Sequence, residues 1–265
     1  MANTNMNTQE VVAIMDRSGS MAGKIADSVG GFNSTLEVLR EQMEDDTVIN
    51  VSVKIFDNHE EMLIRSVPLA DVRPLVTSQV VPRGQTALLD AMGTTLTYFM
   101  EKKLMNPDAY DCCTIYVVTD GLENCSRTYT QKRIKEMIKT AEDKYNIKVI
   151  YLAANQDAIL EAGNIGINPG QAINYSESQE ETQAAYRSAA AMVHRHRSGA
   201  PVEFLSAERQ SSQRQSSHSY NSSPLPPPPT PLFNIGAAPQ PPPLVRQRPN
   251  NQSDRSGWHI NRTRN

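Results

Sequence analysis

The sequence has few cysteines. There are three, and Cys112 and Cys113 are adjacent within an apolar segment that has the character of a strand. Neighbouring side chains of a strand point to opposite faces. An odd number of cysteines in this arrangement argues against a disulfide framework and favours a reducing compartment, so we expect a cytoplasmic protein.

Long apolar runs are also absent. No stretch approaches the roughly 18 residues of a membrane-spanning helix. The opening residues, MANTNMNTQE, carry neither the basic nor the apolar region of a secretion signal. We therefore expect a protein that neither enters nor crosses a membrane.

Proline and charge are unevenly distributed. Twelve of the 17 prolines follow residue 199, and residues 199–265 have a net charge of +4, which leaves −7 on residues 1–198. Neither charge is extreme enough to indicate nucleic-acid binding by itself. These shifts predict a disordered N-terminus at 1–8, a folded domain at 9–198 and a disordered tail at 199–265.

Apolar strand-like segments alternate with helix-like segments throughout the predicted domain. This alternation predicts a doubly wound α/β fold with a mostly parallel sheet and helices on both faces. One predicted helix has its apolar face from Ile25 to Met43 and contains Gly30 and Gly31, which suggests close packing against a neighbour. The predicted strands are 10–16, 49–56, 112–119, 147–153 and 172–175, with a short edge strand at 62–65.

The last predicted helix covers residues 177–197. Ser176 and Gln179 fit a capping box at its start. His194 and His196 alternate with arginines at its end, so they do not share a helical face and do not form a metal pair. We interpret them as cations that favour the carboxyl end of the helix dipole.

Carboxylates and hydroxyls follow two of the predicted strands, and a further hydroxyl precedes a predicted helix. They are Asp16, Ser18 and Ser20 in DRSGS, Thr86 in a loop before a helix, and Asp120 in TDG. In an open parallel sheet, ligands bind beyond the carboxyl ends of the strands. Three hydroxyls and two carboxylates suit a hard divalent cation, Mg²⁺ or Mn²⁺, with the carboxylates acting through water. Such an electron-poor metal can accept a carboxylate from another protein.

DRSGS, Thr86 and TDG together resemble the von Willebrand factor A domain with its metal-ion-dependent adhesion site. The resemblance covers roughly residues 8–197. The sequences of the motifs resemble those of the stand-alone bacterial and phage group of these domains. The resemblance implies a metal held by the five residues above, and coupling between ligand binding and a shift of the last helix. Further candidate ligand contacts near these motifs are Asp57, Gly84, Gly121, Glu123 and Asn124. A turn residue is the alternative for Asp57, and a capped turn is the alternative for Glu123 and Asn124.

The tail is rich in serine, glutamine and arginine and then in proline. LPPPPTPL (225–232) and PQPPPL (239–244) favour polyproline II and resemble ligands of proline-binding domains. A disordered tail without a specific partner is the alternative.

These features favour a non-enzymatic adaptor that captures an Asp or Glu of an unknown partner protein. The tail would add a second contact. One alternative is a Mg²⁺-dependent phosphatase of the haloacid-dehalogenase type, but that chemistry needs a second acid two residues after its nucleophile, where Ser18 stands after Asp16. Another alternative is non-specific, salt-sensitive nucleic-acid binding through the arginines of the tail.

Overall fold

The computed structural model describes residues 7–154, 158–176 and 178–213, and these belong to one unit, residues 1–218. Of the N-terminus predicted to be disordered, 1–8, residues 1–6 lie outside this description, whereas Asn7 and Thr8 belong to the first strand, so the prediction is wrong for these two. Of the tail predicted to be disordered, 199–265, residues 214–265 lie outside this description. No helix within it is long and apolar enough to cross a membrane. The strands are β1 (Asn7–Asp16), β2 (Thr47–Phe56), β3 (Glu60–Pro68), β4 (Cys112–Thr119), β5 (Ile147–Ala153) and β6 (Ala172–Asn174). The helices are α1 (Ile25–Glu41), α2 (Leu88–Met105), α3 (Gln131–Tyr145), α4 (Ala158–Asn164), α5 (Gln179–Arg197) and α6 (Ser206–Ser211).

Within the described residues the strands form one sheet in the order β3-β2-β1-β4-β5-β6. Strand β1 pairs in parallel with β2 and β4, and β5 pairs in parallel with β4 and β6. The edge strand β3 is antiparallel and forms a hairpin with β2. Helices α1 and α5 cover one face of the sheet, and α2 and α3 cover the other. The predicted doubly wound α/β fold is confirmed.

The central strand β1 is buried on both faces. Val11, Ala13 and Met15 contact the core beneath α1 and α5, whereas Val12 and Ile14 contact the core beneath α2 and α3. Burial on both faces explains why this strand is an unbroken apolar run and not an alternating one. It also gives the polar residues at the end of β1 a rigid support.

Gly31 allows α1 and α5 to approach closely. A Cβ atom at Gly31 would lie 2.2 Å from Cδ2 of Tyr186, whereas a Cβ at Gly30 would have no atom within 4 Å. The expectation of close packing therefore holds for Gly31 and does not hold for Gly30.

The two glycines should respond oppositely to substitution. Gly30→Ala should stabilise the protein, because glycine costs a helix about 1 kcal/mol relative to alanine. Gly31→Ala should destabilise it, because overpacking against Tyr186 costs about 1–3 kcal/mol. Urea denaturation measures both changes, and a stabilising Gly31→Ala would contradict this packing.

The folded unit extends beyond the predicted boundary at residue 198. Val202 and Phe204 are buried against the core beneath α5, and α6 follows them. The guanidinium of Arg209 donates hydrogen bonds to three backbone carbonyls between residues 169 and 172. The segment after residue 198 is mostly polar, so its composition did not indicate that Val202 and Phe204 would be buried or that Arg209 would bind backbone carbonyls.

Helix α5 begins later than predicted. Its cap is Ser178, whose hydroxyl accepts a hydrogen bond from the backbone N–H of Glu181 at 3.3 Å. The N–H of Ser176 instead donates to the backbone oxygen of Ser212 at 2.9 Å. Ser176, which the sequence predicted as the cap, therefore bonds to the segment that follows α5.

His196 is a buried, neutral side chain, and the interpretation of it as a helix-dipole cation is wrong. Its Nδ1 lies 2.8 Å from the hydroxyl of Thr114, and its Nε2 lies 3.1 Å from Oδ1 of Asn146. The Asn146 amide nitrogen donates to the Asp111 carbonyl, so its oxygen faces Nε2 and can only accept; Nε2 therefore carries the imidazole proton, and Nδ1 accepts a hydrogen bond from Thr114. Burial, with a contribution from the charge of Lys148, lowers the pKa of His196 to about 4.

The lowered pKa of His196 should make stability fall in mild acid. Above about pH 6.5 the imidazole is neutral in both the folded and the unfolded chain, and its contribution is complete. As the pH falls towards 4, only the unfolded chain takes up the proton, so up to about 3 kcal/mol is lost. Urea unfolding between pH 7.5 and 4.5 measures this loss, which should shrink in His196→Gln. An unchanged pH profile in that variant would contradict the assignment.

Candidate metal centre

Three segments of the chain meet at one edge of the sheet. Asp16 is the last residue of β1, and Thr119 is the last residue of β4, which lies beside β1. Thr86 belongs to the loop that leads into α2. Because β1 and β4 are parallel, their carboxyl ends open onto the same crevice.

Asp16 is buried, and both of its carboxylate oxygens are occupied by protein donors. Oδ1 accepts a hydrogen bond from the backbone N–H of Ser18 at 2.6 Å, and Oδ2 accepts one from the hydroxyl of Thr119 at 2.6 Å. Burial raises the pKa of Asp16, the hydrogen bonds from Thr119 and Ser18 oppose this, and the charge of Asp120 raises it further. A cation at this edge would relieve the repulsion between the two carboxylates.

A chain of hydroxyls joins the first segment to the third. The Oγ atoms of Ser18 and Ser20 lie 3.0 Å apart, and Ser20 donates to Oδ1 of Asp120 at 2.7 Å. Ser18 is buried with Asp16. These contacts bring together four of the five residues predicted to hold the metal.

Thr86 is tied to the loop after β4 by a pair of hydrogen bonds. Its backbone N–H donates to the Asn124 side-chain oxygen at 2.9 Å, and the Asn124 N–H donates to the Thr86 carbonyl at 3.1 Å. Asn124, which the sequence offered as a ligand contact, therefore holds Thr86 in place.

The position of Gly121 shows that Thr86 reaches the same point as the other residues. A Cβ atom at Gly121 would lie 3.0 Å from the Thr86 hydroxyl oxygen, 3.3 Å from the Ser20 hydroxyl oxygen and 3.8 Å from Oδ2 of Asp16. Three oxygens from two of the segments thus surround one small volume beside the third segment. The absence of a side chain at Gly121 keeps that volume open.

The donor set at this edge fits a hard divalent cation. It consists of oxygens only, from three hydroxyls and two carboxylates, as Mg²⁺ and Mn²⁺ prefer. No group of three or more His, Cys, Asp or Glu side chains placed to hold a metal exists in the part of the chain that the structure describes. A metal here would therefore depend on hydroxyls as much as on carboxylates.

Lys24 provides a positive charge beside the site. Its ammonium donates to Oδ2 of Asp120 at 2.9 Å. Sequence reasoning missed this residue, although its place one residue before α1 and four after Ser20 could have suggested it. With Lys24 included, the two carboxylates and the ammonium carry a net charge of −1.

Removal of the Lys24 charge should tighten metal binding. One unit charge at about 4 Å in a water-like medium contributes about 1 kcal/mol, so Lys24→Gln should raise Mg²⁺ affinity about fivefold. Isothermal titration measures the change, with Lys24→Arg as the charge-preserving control. If the affinity falls in Lys24→Gln but not in Lys24→Arg, the main role of Lys24 is to hold Asp120 in position.

Asp57 lies at the end of β2 and joins the loops around the site. Its Oδ2 accepts hydrogen bonds from Nε of Arg17 and Nε of Arg83, and its Oδ1 accepts one from the N–H of His59. Burial favours a raised pKa for Asp57, but the hydrogen bonds from Arg83 and His59 and the charges of both arginines outweigh burial and lower the pKa. Asp57 is thus an ionised anchor for Arg17, within DRSGS, and for the Thr86 loop.

Gly84 brings the Thr86 loop against the DRSGS turn. It has φ +68°, and a Cβ there would lie 2.1 Å from Oδ1 of Asn58. Its carbonyl accepts a hydrogen bond from the N–H of Gly19 at 3.1 Å. The conformation and the crowding both require glycine at this position.

The Glu123 carboxylate is hydrogen-bonded to residues of its own loop and to the first turn of α2. Its carboxylate accepts hydrogen bonds from the N–H groups of Leu89, Cys125 and Ser126 and from the Ser126 hydroxyl. The structure therefore places Glu123 beside the site as a loop-stabilising residue. Thr119, which sequence reasoning quoted but did not include among the site residues, contacts Asp16 directly.

The same fold occurs in solved structures. The chain is similar to a von Willebrand factor type A protein from Catenulispora acidiphila, with a TM-score of 0.51 and 14% identity over 71% of this chain and 43% of that one. The fold is a von Willebrand factor A fold. No protein-family model and no curated protein sequence matches the chain.

Two further solved structures are similar to this chain. The pilus adhesin SpaC from Lactobacillus rhamnosus GG gives a TM-score of 0.55 at 13% identity, over 71% of this chain and 30% of that one. Proximal thread matrix protein 1 from the mussel byssus gives a TM-score of 0.51 at 12% identity, over 71% of this chain and 46% of that one. The chain spans less than half the length of each of these three proteins.

Proposed function

We propose that the protein is a metal-dependent interaction module. Asp16, Ser18, Ser20, Thr86 and Asp120 would hold Mg²⁺ or Mn²⁺, which would accept an Asp or Glu side chain of a partner protein. When bound, the metal supplies an electron-poor centre that attracts a carboxylate.

The convergence of hydroxyls and carboxylates around Gly121 supports this proposal. Two carboxylates and the Lys24 ammonium sum to −1, so a divalent cation would make the local charge +1. A positive site held partly by neutral hydroxyls, with Ser20 exposed to solvent, favours an external anion over further protein ligands.

The environment of Asp16 also supports binding and not catalysis. A phosphatase nucleophile needs a carboxylate that the phosphate can reach. Both oxygens of Asp16 instead accept hydrogen bonds, and the side chain is 1% exposed. Ser18 occupies the position where that chemistry needs an acid.

Affinity capture with the full chain tests the proposal. A partner identified by mass spectrometry should be retained in millimolar Mg²⁺ and released by a chelator. Thr86→Ala should lose this partner and Thr86→Ser should keep it, because serine preserves the hydroxyl. Retention of the same partner by Thr86→Ala, or in chelator, would contradict metal-dependent capture.

We further propose that the proline-rich segments 225–232 and 239–244 add a second contact with the same assembly. Replacement of Pro226–Pro229 by serine should weaken capture without changing its metal dependence. If capture instead falls steeply with salt and requires nucleic acid, the tail binds phosphates through its arginines.

A further inference from the structure

Arg83 presents its guanidinium at the edge of the sheet that carries the candidate metal centre. It lies three residues before Thr86, and its side chain is 60% exposed. Its Nε donates to Oδ2 of Asp57 at 2.8 Å, and Asp57 directly follows β2. Strands β1 and β2 pair in parallel with Asp16 opposite Phe56, so Asp57 lies about one strand spacing, ~4.8 Å, from the chain that follows β1. The arginine therefore lies beside the metal centre.

The backbone around Arg83 is held by the turn that follows β1. The N–H of Arg83 donates to the Arg17 carbonyl at 2.8 Å, and the carbonyl of Gly84 accepts a hydrogen bond from the N–H of Gly19 at 3.1 Å. The buried carboxylate of Asp57 orients the side chain through Nε. An arginine that is already oriented loses little conformational freedom when it binds a ligand, which favours affinity.

The two terminal nitrogens of Arg83, Nη1 and Nη2, are available to a ligand. Neither donates a hydrogen bond to a residue that the structure describes, because the contact with Asp57 uses Nε alone. Arg83 lines an open groove of about 530 Å³, together with Arg17, Gly84 and residues 58–61. The terminal nitrogens of a guanidinium form a planar fork that matches the two oxygens of a carboxylate.

The acidic side chains of this groove already have cationic partners. Glu60 accepts a hydrogen bond from Lys54 at 2.6 Å, and Glu61 accepts one from Arg17 at 2.9 Å. Together with the ion pair between Arg83 and its aspartate, these pairs have no net charge. An anion that approaches the guanidinium therefore meets no uncompensated carboxylate among the described side chains of the groove.

We propose that Arg83 binds a second carboxylate of the partner segment, beside the one at the metal. Its terminal nitrogens would donate to both oxygens of an Asp or Glu, which is the bidentate geometry that arginine favours. Side chains two residues apart in an extended segment share one face and lie about 7 Å apart, which suits two contacts at the ends of neighbouring strands. The inference rests on the proposed function, and it defines the partner as a segment with two acidic residues separated by one residue.

Two blocked peptides test this inference on the full chain in millimolar Mg²⁺. Acetyl-Gly-Asp-Gly-Asp-Gly-amide carries two acids, and acetyl-Gly-Asp-Gly-Asn-Gly-amide carries one. NMR titration should show that the two-acid peptide binds about tenfold more tightly, because a charged hydrogen-bonded pair adds to a statistical factor of about two. Equal affinity for the two peptides would overturn the inference and would leave metal-dependent capture of a single acid intact.

Substitution of Arg83 separates a direct contact from support of the loop. In Arg83→Gln the advantage of the two-acid peptide should fall to about the statistical factor of two. The one-acid peptide should bind as before, because Asp57 keeps its hydrogen bond from Arg17. Arg133→Gln removes an arginine of similar exposure on α3 and should change neither affinity. If Arg83→Gln weakens both peptides equally, or leaves the tenfold difference intact, Arg83 is not a ligand contact.

A chelator and Thr86→Ala distinguish the failure of this inference from the failure of the proposed function. Each should abolish binding of the one-acid peptide, which depends on the metal alone. If the two-acid peptide keeps its affinity under both conditions and loses it in Arg83→Gln, the arginine contact holds and metal-dependent capture is wrong. If neither peptide binds in Mg²⁺, both proposals are wrong.

Discussion

Thr86→Ala should abolish the rise in melting temperature that Mg²⁺ produces in the unsubstituted protein. A ligand at 100 times its Kd stabilises the folded state by about 2.7 kcal/mol, which corresponds to about 5–10 °C for a domain of this size. Thr86 contributes one of the two hydroxyls that approach Gly121, so its loss should remove most of this stabilisation. Thermal unfolding with and without Mg²⁺ measures the effect.

Two controls separate metal binding from damage to the fold. Thr86→Ser keeps the hydroxyl and should keep the Mg²⁺-dependent shift. Without metal, Thr86→Ala should melt within a few degrees of the unsubstituted protein, because the backbone bonds between Thr86 and Asn124 remain. A full Mg²⁺-dependent shift in Thr86→Ala would show that the metal binds elsewhere.

Lys102→Met should destabilise the fold by about 3–5 kcal/mol, because it leaves the charge of Glu10 buried and uncompensated. Glu10 is fully buried in β1. Its carboxylate accepts hydrogen bonds from Lys102 at 2.5 Å, Asn50 at 3.3 Å and Ser66 at 3.0 Å. Ser66 also accepts a hydrogen bond from Lys102 at 3.0 Å, which closes the network. Urea denaturation measures the loss.

Substitution of the other partner, Glu10, should lower the free energy of unfolding by less. Glu10→Gln leaves Lys102, whose side chain is 25% exposed and can turn its ammonium to water. The double variant should be more stable than Lys102→Met alone, because no unpaired charge remains buried. Equal losses for both single variants would show that the hydrogen bonds, and not the buried charge, dominate this network.

Much of the candidate site is predictable from local sequence. Asp16 and Asp120 each follow an unbroken apolar run, and such runs are typical of buried parallel strands whose ends share one sheet edge. That reasoning predicts that Ser18, Ser20 and Thr86 join them, and the contacts around Gly121 bring all five together.

Other features depend on long-range packing that local patterns do not contain. Glu10 reads as an ordinary strand residue until the hairpin of β3 brings Ser66 to it. Asp57 looks like a turn residue until Arg17 and Arg83 meet on it from different loops. The segment that ends at Ser212 is polar in sequence, and its packing depends on a few contacts with distant residues.

The fold links these parts to the proposed function. Strand β1 is held by apolar contacts on both faces, so Asp16 has a fixed position at its end. The ion pairs of Asp57 and the Asn124 bonds fix the DRSGS turn and the Thr86 loop relative to each other. Hydroxyls arranged in this way need little ordering when a cation binds, which favours affinity.

Paramagnetic NMR with Mn²⁺ is the most direct test of the central claim. Substoichiometric Mn²⁺ should broaden the amide signals of Gly19, Ser20 and Gly121 first, and should leave those around His196 sharp, because His196 contacts the opposite, amino-terminal end of the strands. Mg²⁺ should reverse the broadening, and Thr86→Ala should prevent it. Broadening centred elsewhere, or none at millimolar Mn²⁺, would contradict a divalent-cation site at this sheet edge.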